Sequence, residues 1–583
     1  MESSASSKAK CITGNIGEAE LKFCDTESKR AGWNTFPFII GAMALLMLAG
    51  TGWMANLIVY LIQEFHMNRI DAAQTFNVVN GCFCLLPILG AIIADSFLGC
   101  FLVASISSFI ASMGIVLVSL TATLNSLRPK LCGNNKSSSC KAPSNLQFAV
   151  LYAGIALATL GVSGVRFTIA TFGANQFESQ KDQSTFFNWI FFAQYAGFVL
   201  SGTLIVYIED SVSWSLGFWL CVGANFIGLV VFIAGKNRYY RHETPQGSPI
   251  LSLARVLVAS IRKRKLQLPL TSDEFYYGPH GQDKEVDVSA GKNFRFLNRA
   301  AVKIDGDTES DNSIAKPWRL CTVQQVEDLK CVVKMLPLWS SSIFLSTPIA
   351  VQNSMTVLQA LTMDCHLGPH FMIPAASVLV TIMISALVSL ALIDRLRSRL
   401  PLWKKLTGSP PTIFHRIGVG HILNVLGLIV SALIESRRLS TAHLHHLQNV
   451  DNPAVPMSAL WLFPQLILVG IGEAFHFPGQ VSLYFQEFPA NLSNSATAMV
   501  AATIGTAYYL STVVVDLVRR STGWLPENLN DGRLDCMYWL LAGLGMANFG
   551  YYLVCAKLYK GKDGSSSSSL PMTDDVGENK MRP

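Results

Sequence analysis

Twelve stretches of this chain are apolar over a length that crosses a lipid bilayer, and that feature excludes nearly every fold except a helical bundle. A crossing helix takes about 17–25 residues. Inside hydrocarbon each backbone N–H and C=O must find its partner within the segment, so the stretches are expected to be helices. They lie near 38–63, 72–94, 100–124, 147–172, 186–208, 214–234, 331–350, 373–393, 413–434, 459–479, 494–517 and 536–557. Only 14% of the 583 residues are charged, against about 25% in a soluble domain. The expected fold class is an all-α membrane protein with twelve transmembrane helices in two six-helix bundles.

The chain divides by composition into 1–37, a polar N-terminal segment; 38–235, a first bundle; 236–330, a hydrophilic central loop; 331–557, a second bundle; and 558–583, a low-complexity tail expected to be disordered. Two sets of six are the arrangement of a secondary transporter, with a site near the midplane between halves. Basic residues concentrate in the central loop, including Arg262, Lys263, Arg264 and Lys265, and again at Arg395, Arg397, Arg399, Lys404 and Lys405. That pattern places both loops, and with an even number of spans both termini, in the cytosol. The basic run is read as flanking the membrane and not as a nucleic-acid surface.

The segment 125–145 is then outside. Its sequon begins at Asn135, a candidate glycosylation site, and Cys132 and Cys140 form a disulfide or remain two thiols. The sequon at Asn491 falls in the cytosol on this topology and is expected to stay unmodified. No cysteine or histidine spacing matches a metal site, no cofactor is implied, and no nucleophile–base–orienter set suggests an enzyme.

The charge that most needs explaining is Arg166, inside the apolar run LQFAVLYAGIALATLGVSGVRFTIATF. Arginine keeps its proton at any cellular pH, and placing it at membrane depth costs about 2.5–3.5 kcal/mol on insertion scales. Such a residue faces a protein-lined cavity, an acidic partner or an anion. Glu473 stands out as a carboxylate well inside a span, and His476 follows it by three residues on one helix face. Gln352, Asn353, Asn56 and Asn188 are neutral polar candidates, each also readable as glue between helices. Pro337, Pro348, Pro464 and Pro478 are expected to kink their helices.

The run GAIIADSFLG from Gly90 to Gly99 resembles the loop 2–3 motif of the major facilitator superfamily. Further motifs are more specific: Phe172-Gly-Ala-Asn-Gln-Phe177, Phe186-Phe187-Asn188-Trp189, the run from Trp318 to Lys330, Ile373-Pro-Ala-Ala-Ser377, Trp461-Leu-Phe-Pro-Gln465, Gly472-Glu473-Ala-Phe475 and Gly523-Trp-Leu-Pro526. Together they resemble the plant nitrate/peptide transporter family, the plant arm of the proton-coupled oligopeptide transporters, over roughly residues 30–560. Ala170 to Asn175 and Phe475-His476-Phe477-Pro478-Gly479 make the chain most similar to its nitrate excretion branch.

The departures from that family carry the functional expectation. Its first helix usually holds an E-x-x-E-R pattern and two tyrosines; the matching positions are Met43, Leu46 and Met47, then Gly50 and Thr51. No charged side chain occurs from Ala31 to Gln63. The family's fourth-helix lysine matches Arg166 and its tenth-helix glutamate matches Glu473, which leaves Glu473 as the remaining proton-coupling candidate. A seventh-helix histidine of some nitrate-carrying relatives matches Ile349. Without the first-helix glutamates, Arg166 either pairs with Glu473 or meets the substrate; guanidinium suits planar oxyanions such as nitrate.

The resemblance therefore implies a plasma-membrane transporter working by alternating access. It exports a small inorganic anion, nitrate first and chloride second, driven by membrane potential with little or no proton coupling. The alternatives are a proton-coupled carrier of an organic anion and a nitrate sensor signalling through 236–330.

Overall fold

The computed structural model describes residues 32–129, 143–239, 249–268, 274–278, 294–304, 307, 316, 318–398, 413–448, 450, 454–488 and 496–559. Asn135, Cys132, Cys140, Lys404, Lys405 and Asn491 lie outside the described residues, as do most of the N-terminal segment and nearly all of the tail. The side chains of Asp95, Asn188, Arg395 and Arg397 lie outside them as well.

Among the described residues, twelve helices are long and apolar enough to span a bilayer: α1 Gly32–Gln63, α2 Arg69–Leu98, α3 Cys100–Thr123, α4 Asn145–Ala174, α5 Thr185–Ser211, α6 Trp214–Arg238, α7 Val323–Ala360, α8 Ala375–Ile393, α9 Ile413–Leu444, α10 Ala459–Glu487, α11 Ala498–Ser521 and α12 Leu534–Leu558. They match the twelve apolar stretches. The one sheet among the described residues is a parallel pair, β1 Met363–Asp364 and β2 Val455–Ser458, in the connections after α7 and α9.

Several helices depart from a plain crossing. α1 is broken at Asn56, whose φ of −107° and ψ of 17° separate Phe36–Ala55 from Leu57–Gln63. α5 contains a π-turn at Ser201–Ile205. α7 has 38 residues, roughly 57 Å at 1.5 Å per residue, far more than the 331–350 expected. Its start is set by a capping box in which Thr322 accepts from the Gln325 amide while Gln325 accepts from the Thr322 amide. Pro337, Pro348 and Pro478 sit inside helices. Pro464 does not; it occupies the first turn of the α-helical part of α10, where its missing N–H would have had no intrahelical partner.

The extra turns of α7 receive the central segment. An amphipathic helix, Pro249–Arg262, packs Val256 and Ala259 with Phe275, Tyr277, Leu297, Ala300 and Val302 against Val323, Val326 and Leu329 of α7. Buried Lys263 closes this small core, its Nζ 2.6 Å from Asp307 Oδ2 and donating at 2.6 Å to the Val302 carbonyl. The end of the molecule bearing this core is called the near end; the end bearing Gln63, Ala360 and Ser521 is the far end.

Within the first half, α3 and α4 pack backbone to backbone. A Cβ on Gly114 would come within 2.1 Å of the Ala158 nitrogen, and one on Gly161 within 2.2 Å of the Ala111 nitrogen. Small residues permit this approach in a membrane, where packing and not water drives association. Gly161→Val is expected to cost at least the upper end of the roughly 1–3 kcal/mol of an overpacked core. The check is loss of the monodisperse peak in size-exclusion chromatography of detergent-solubilised protein.

The two halves touch at the far end and toward the middle. Arg519 pairs with Asp71 at 2.6 Å, Asn77 donates to Ser354 at 3.2 Å, and Cys82 lies 2.9 Å from the Tyr509 hydroxyl. Ser377 donates to the Gly202 carbonyl at 2.7 Å, and Tyr207 stacks on Phe371 with centroids 5.8 Å apart. The far end is therefore shut in this conformation.

Candidate functional site

Arg166 stands in the second half of α4, partly buried. Its guanidinium carbon lies 5.1 Å from the centre of the Phe83 ring on α2 and 5.7 Å from that of Phe198 on α5. Rings at this distance attract a cation through their quadrupole. Gln194 of α5 completes the brace. With its amide turned so that the oxygen faces the guanidinium, Gln194 accepts from Arg166 Nε at 2.5 Å and from Nη2 at 3.0 Å.

The charge is thus held in one orientation by three side chains. Cys84 is within electrostatic reach of it. Tyr195, beside Gln194, is within reach of both Arg166 and Glu473 of α10. Tyr508 of α11 is within reach of Glu473 and lies beside the Asn353 amide of α7. Arg166, Tyr195, Glu473, Asn353 and Tyr508 all keep part of their surface accessible. The site therefore draws on α2, α4 and α5 from one half and α7, α10 and α11 from the other.

An ion pair between Arg166 and Glu473 was one expectation, and the structure shows none. Gln194 occupies one edge of the guanidinium fork. Among the described residues no hydrogen bond or ion pair reaches Glu473, which is half-buried. The two charges stand on different halves, unpaired with each other, and the space between the half-buried residues named above is called the chamber.

Other expected site residues are placed elsewhere. His476 is fully buried. Its ring meets His421 of α9 edge-on at 5.3 Å, and His421 in turn stacks on Tyr552 of α12 at 4.6 Å. The i,i+3 spacing from Glu473 does not bring it to the chamber, because α9 approaches α10 closely there: a Cβ on Gly420 would lie 2.7 Å from His476 Cβ. Gln352 is 1% exposed and donates to Ser431 of α9 at 2.7 Å. It braces α7 on α9, and its neighbour Asn353 is the one that reaches Tyr508 of α11. Asn56 is also 1% exposed, at the break in α1.

The face of α1 bearing Met43, Leu46 and Met47 is packed dry. Met43, Leu46 and Met47 are at most 2% exposed. A Cβ on Gly50 would meet Val162 of α4 at 2.4 Å; Thr51 shares a 2.7 Å hydrogen bond with Ser201 of α5. A carboxylate at any of these positions would be buried among apolar neighbours.

Gln194, Tyr195, Tyr508, Phe83 and Phe198 were missed by reading the sequence for charges. The one available signal was FFAQYAG, a polar pair inside an apolar run. Glu209 was also missed. α5 reaches Ser211, so Glu473 is not alone as a carboxylate inside a span; Glu209 is 1% exposed.

Residues 101–529 match the model of the POT family, PTR2. Two Arabidopsis thaliana proteins are similar along nearly their whole length. Protein NRT1/PTR FAMILY 2.7 is 46% identical over 552 residues, covering 95% of this chain and 97% of that one. Protein NRT1/PTR FAMILY 2.6 is 47% identical over 552 residues, covering 94% and 97%. Among solved structures, an auto-inhibited POT family peptide transporter superposes with a TM-score of 0.68 at 16% identity, covering 90% of this chain and 97% of that chain. The POT family transporter PepTSo gives 0.61 at 16% identity, covering 90% and 98%. These likenesses show the twelve-helix major facilitator fold.

Proposed function

Because the chain belongs to the POT family of membrane transporters, and so is a secondary transporter and not an enzyme, we propose that it carries a small inorganic anion out of the cytosol, nitrate first and chloride second. The single observation behind this reading is Arg166, a permanent cation braced by Gln194, Phe83 and Phe198 in a chamber lined by both halves. A planar guanidinium offers paired donors to a planar oxyanion. On this reading the near end and both termini are cytosolic, the far end is outside, and the membrane is the plasma membrane. The substrate-binding or gating set is Arg166 and Glu473, with Gln194, Tyr195, Asn353 and Tyr508 beside them.

Direction follows from the field. One charge crossing the membrane potential is worth about 2.3 kcal/mol per 100 mV. With a negative interior, anion exit runs downhill and needs no proton, which suits an α1 whose inner face has no carboxylate. Alternating access then needs only that the far end open while the near end closes around Arg166.

The test is nitrate efflux from proteoliposomes under an imposed potential with no pH gradient. Efflux that follows the potential supports the reading, and strict dependence on a pH gradient overturns it. Glu473→Gln is expected to retain potential-driven flux within about threefold. Loss of flux in that variant would favour a second reading, a proton-coupled carrier of an organic anion, for which the half-buried, unpaired carboxyl of Glu473 is the supporting observation.

A further inference from the structure

Glu209 is a buried acid to which the transport reading gives no task. Neither carboxyl oxygen accepts a hydrogen bond from any described residue. Among those residues Asn56, at the break in α1, is the one side chain placed to donate to it, although its amide falls short of good hydrogen-bond geometry. α6 presses on it from one side: a Cβ on Gly217 would lie 2.3 Å from Glu209 Cγ. The titratable groups around it are Asp210 on its own helix, Cys221 on α6 and Tyr60 on α1. Among the described residues no basic side chain faces it.

A carboxylate enclosed without a counter-charge, and with only one poorly placed amide donor, is costly by several kcal/mol. The neutral acid fits this enclosure; the ionised form fits only once water reaches it.

Its place on α5 supplies the consequence. Gln194 and Tyr195 lie in the chamber. Farther along, the π-turn Ser201–Ile205 bears Gly202, whose carbonyl accepts from Ser377 of α8 and whose Cα packs on Val380. Ser201 also ties the π-turn to α1, donating to the Leu48 carbonyl at 2.9 Å. Tyr207 then stacks on Phe371, and Glu209 follows two residues later. One helix thus carries chamber, gate and acid in that order, with a π-turn between. Such turns shift the register of a helix and recur at functional sites.

We propose that Glu209 is a proton-binding site that latches the far-end gate: the protonated acid keeps α5 seated against α1 and α6 and the gate shut, and loss of the proton releases it. This rests on the alternating-access reading but not on the identity of the substrate. It is a gate control and not a driving force, so it is compatible with potential-driven flux.

The test reads the gate directly, with no substrate present. Val380, which packs on Gly202, is replaced by cysteine, and its labelling by a hydrophilic maleimide is followed in lipid nanodiscs, where both faces are accessible, against the parent chain as background. Because maleimide reacts with thiolate, rates are normalised to a model thiol at each pH. The normalised rate is expected to rise about tenfold as pH increases from acidic to mildly alkaline. In Glu209→Gln it should be slow throughout, since glutamine mimics the neutral acid. The same pH dependence in Glu209→Gln, or none in the Val380→Cys protein, overturns the proposal. If Glu209→Gln does not assemble, Asn56→Ala carries the test: its labelling midpoint must shift, and an unchanged midpoint overturns the latch. Because no anion is present, failure here leaves the anion reading standing, and a chain that moves no nitrate can still show the latch.

Discussion

Arg166→Ala is expected to abolish potential-driven nitrate flux in proteoliposomes, a loss of at least about 100-fold. The substitution removes the cation from the chamber and leaves Gln194, Phe83 and Phe198 around an empty volume. Gln194 loses its partner, but it is a neutral amide near an accessible chamber, so the fold is expected to survive and the loss to be one of function. Arg166→Lys sharpens the test. Lysine keeps the charge but presents a point donor in place of a planar fork. Nitrate flux should fall about tenfold while chloride flux stays within about threefold, because chloride gains nothing from a bidentate partner. Equal losses for both anions would mean that the residue supplies only charge. Wild-type nitrate flux in Arg166→Ala would remove it from the transport path.

The second large effect is on stability. Glu435 and Arg438 of α9 are both fully buried and paired at 2.7 Å and 2.8 Å. Gln359 of α7 donates to Glu435 at 2.7 Å, and Arg438 donates to Thr362 at 3.1 Å, to Asn530 at 2.5 Å and to the Leu529 carbonyl at 3.3 Å. The Tyr538 hydroxyl of α12 donates to Gln359 at 3.1 Å. The cluster ties the far ends of α7, α9 and α12 to the connection after α11. Arg438→Met should cost about 3–5 kcal/mol, because it leaves Glu435 buried without a counter-charge. The measurement is thermal unfolding in detergent with size-exclusion recovery. Glu435→Leu combined with Arg438→Met should recover much of that loss, since an apolar pair leaves no uncompensated charge. A double variant as unstable as Arg438→Met alone would show that the polar links to Thr362 and Asn530, and not the charge pair, hold the cluster.

The apolar stretches located all twelve helices because hydrocarbon length and backbone pairing impose the same demand on each, whatever it packs against. Helix ends were less legible. α7 runs to 38 residues because its polar first turns are stabilised by Thr322 and by the core of the central segment, contacts that a hydropathy pattern does not carry. The Asn56 break in α1 and the π-turn in α5 were likewise invisible, because each is stabilised by packing between helices.

Arg166 and Glu473 could be singled out from sequence, because a charge inside an apolar run needs a reason. Their partners could not. Gln194, Tyr195 and Tyr508 are ordinary neutral residues until α5 and α11 bring them to the same opening. His476 shows the converse error. Helical spacing fixes its angle relative to Glu473, but the close approach of α9 at Gly420 decides what surrounds it. Gln352 and Asn353 are adjacent and chemically alike, yet one is buried against Ser431 of α9 and the other reaches Tyr508 of α11.

The sequence by itself determined that this protein is a twelve-helix membrane bundle in two halves, that α1 carries no charged side chain, and that one arginine sits at membrane depth. These are properties of composition and order, which the bilayer reads directly. Only the tertiary structure decided that Arg166 is braced by a glutamine and not paired with Glu473, that the dry face of α1 has no room for a carboxylate, and that Glu209 is enclosed beside the gate. Those outcomes depend on which faces of distant helices meet, and in a membrane that is set by close packing of small residues and by the pairing of polar groups, neither of which is encoded in any single segment.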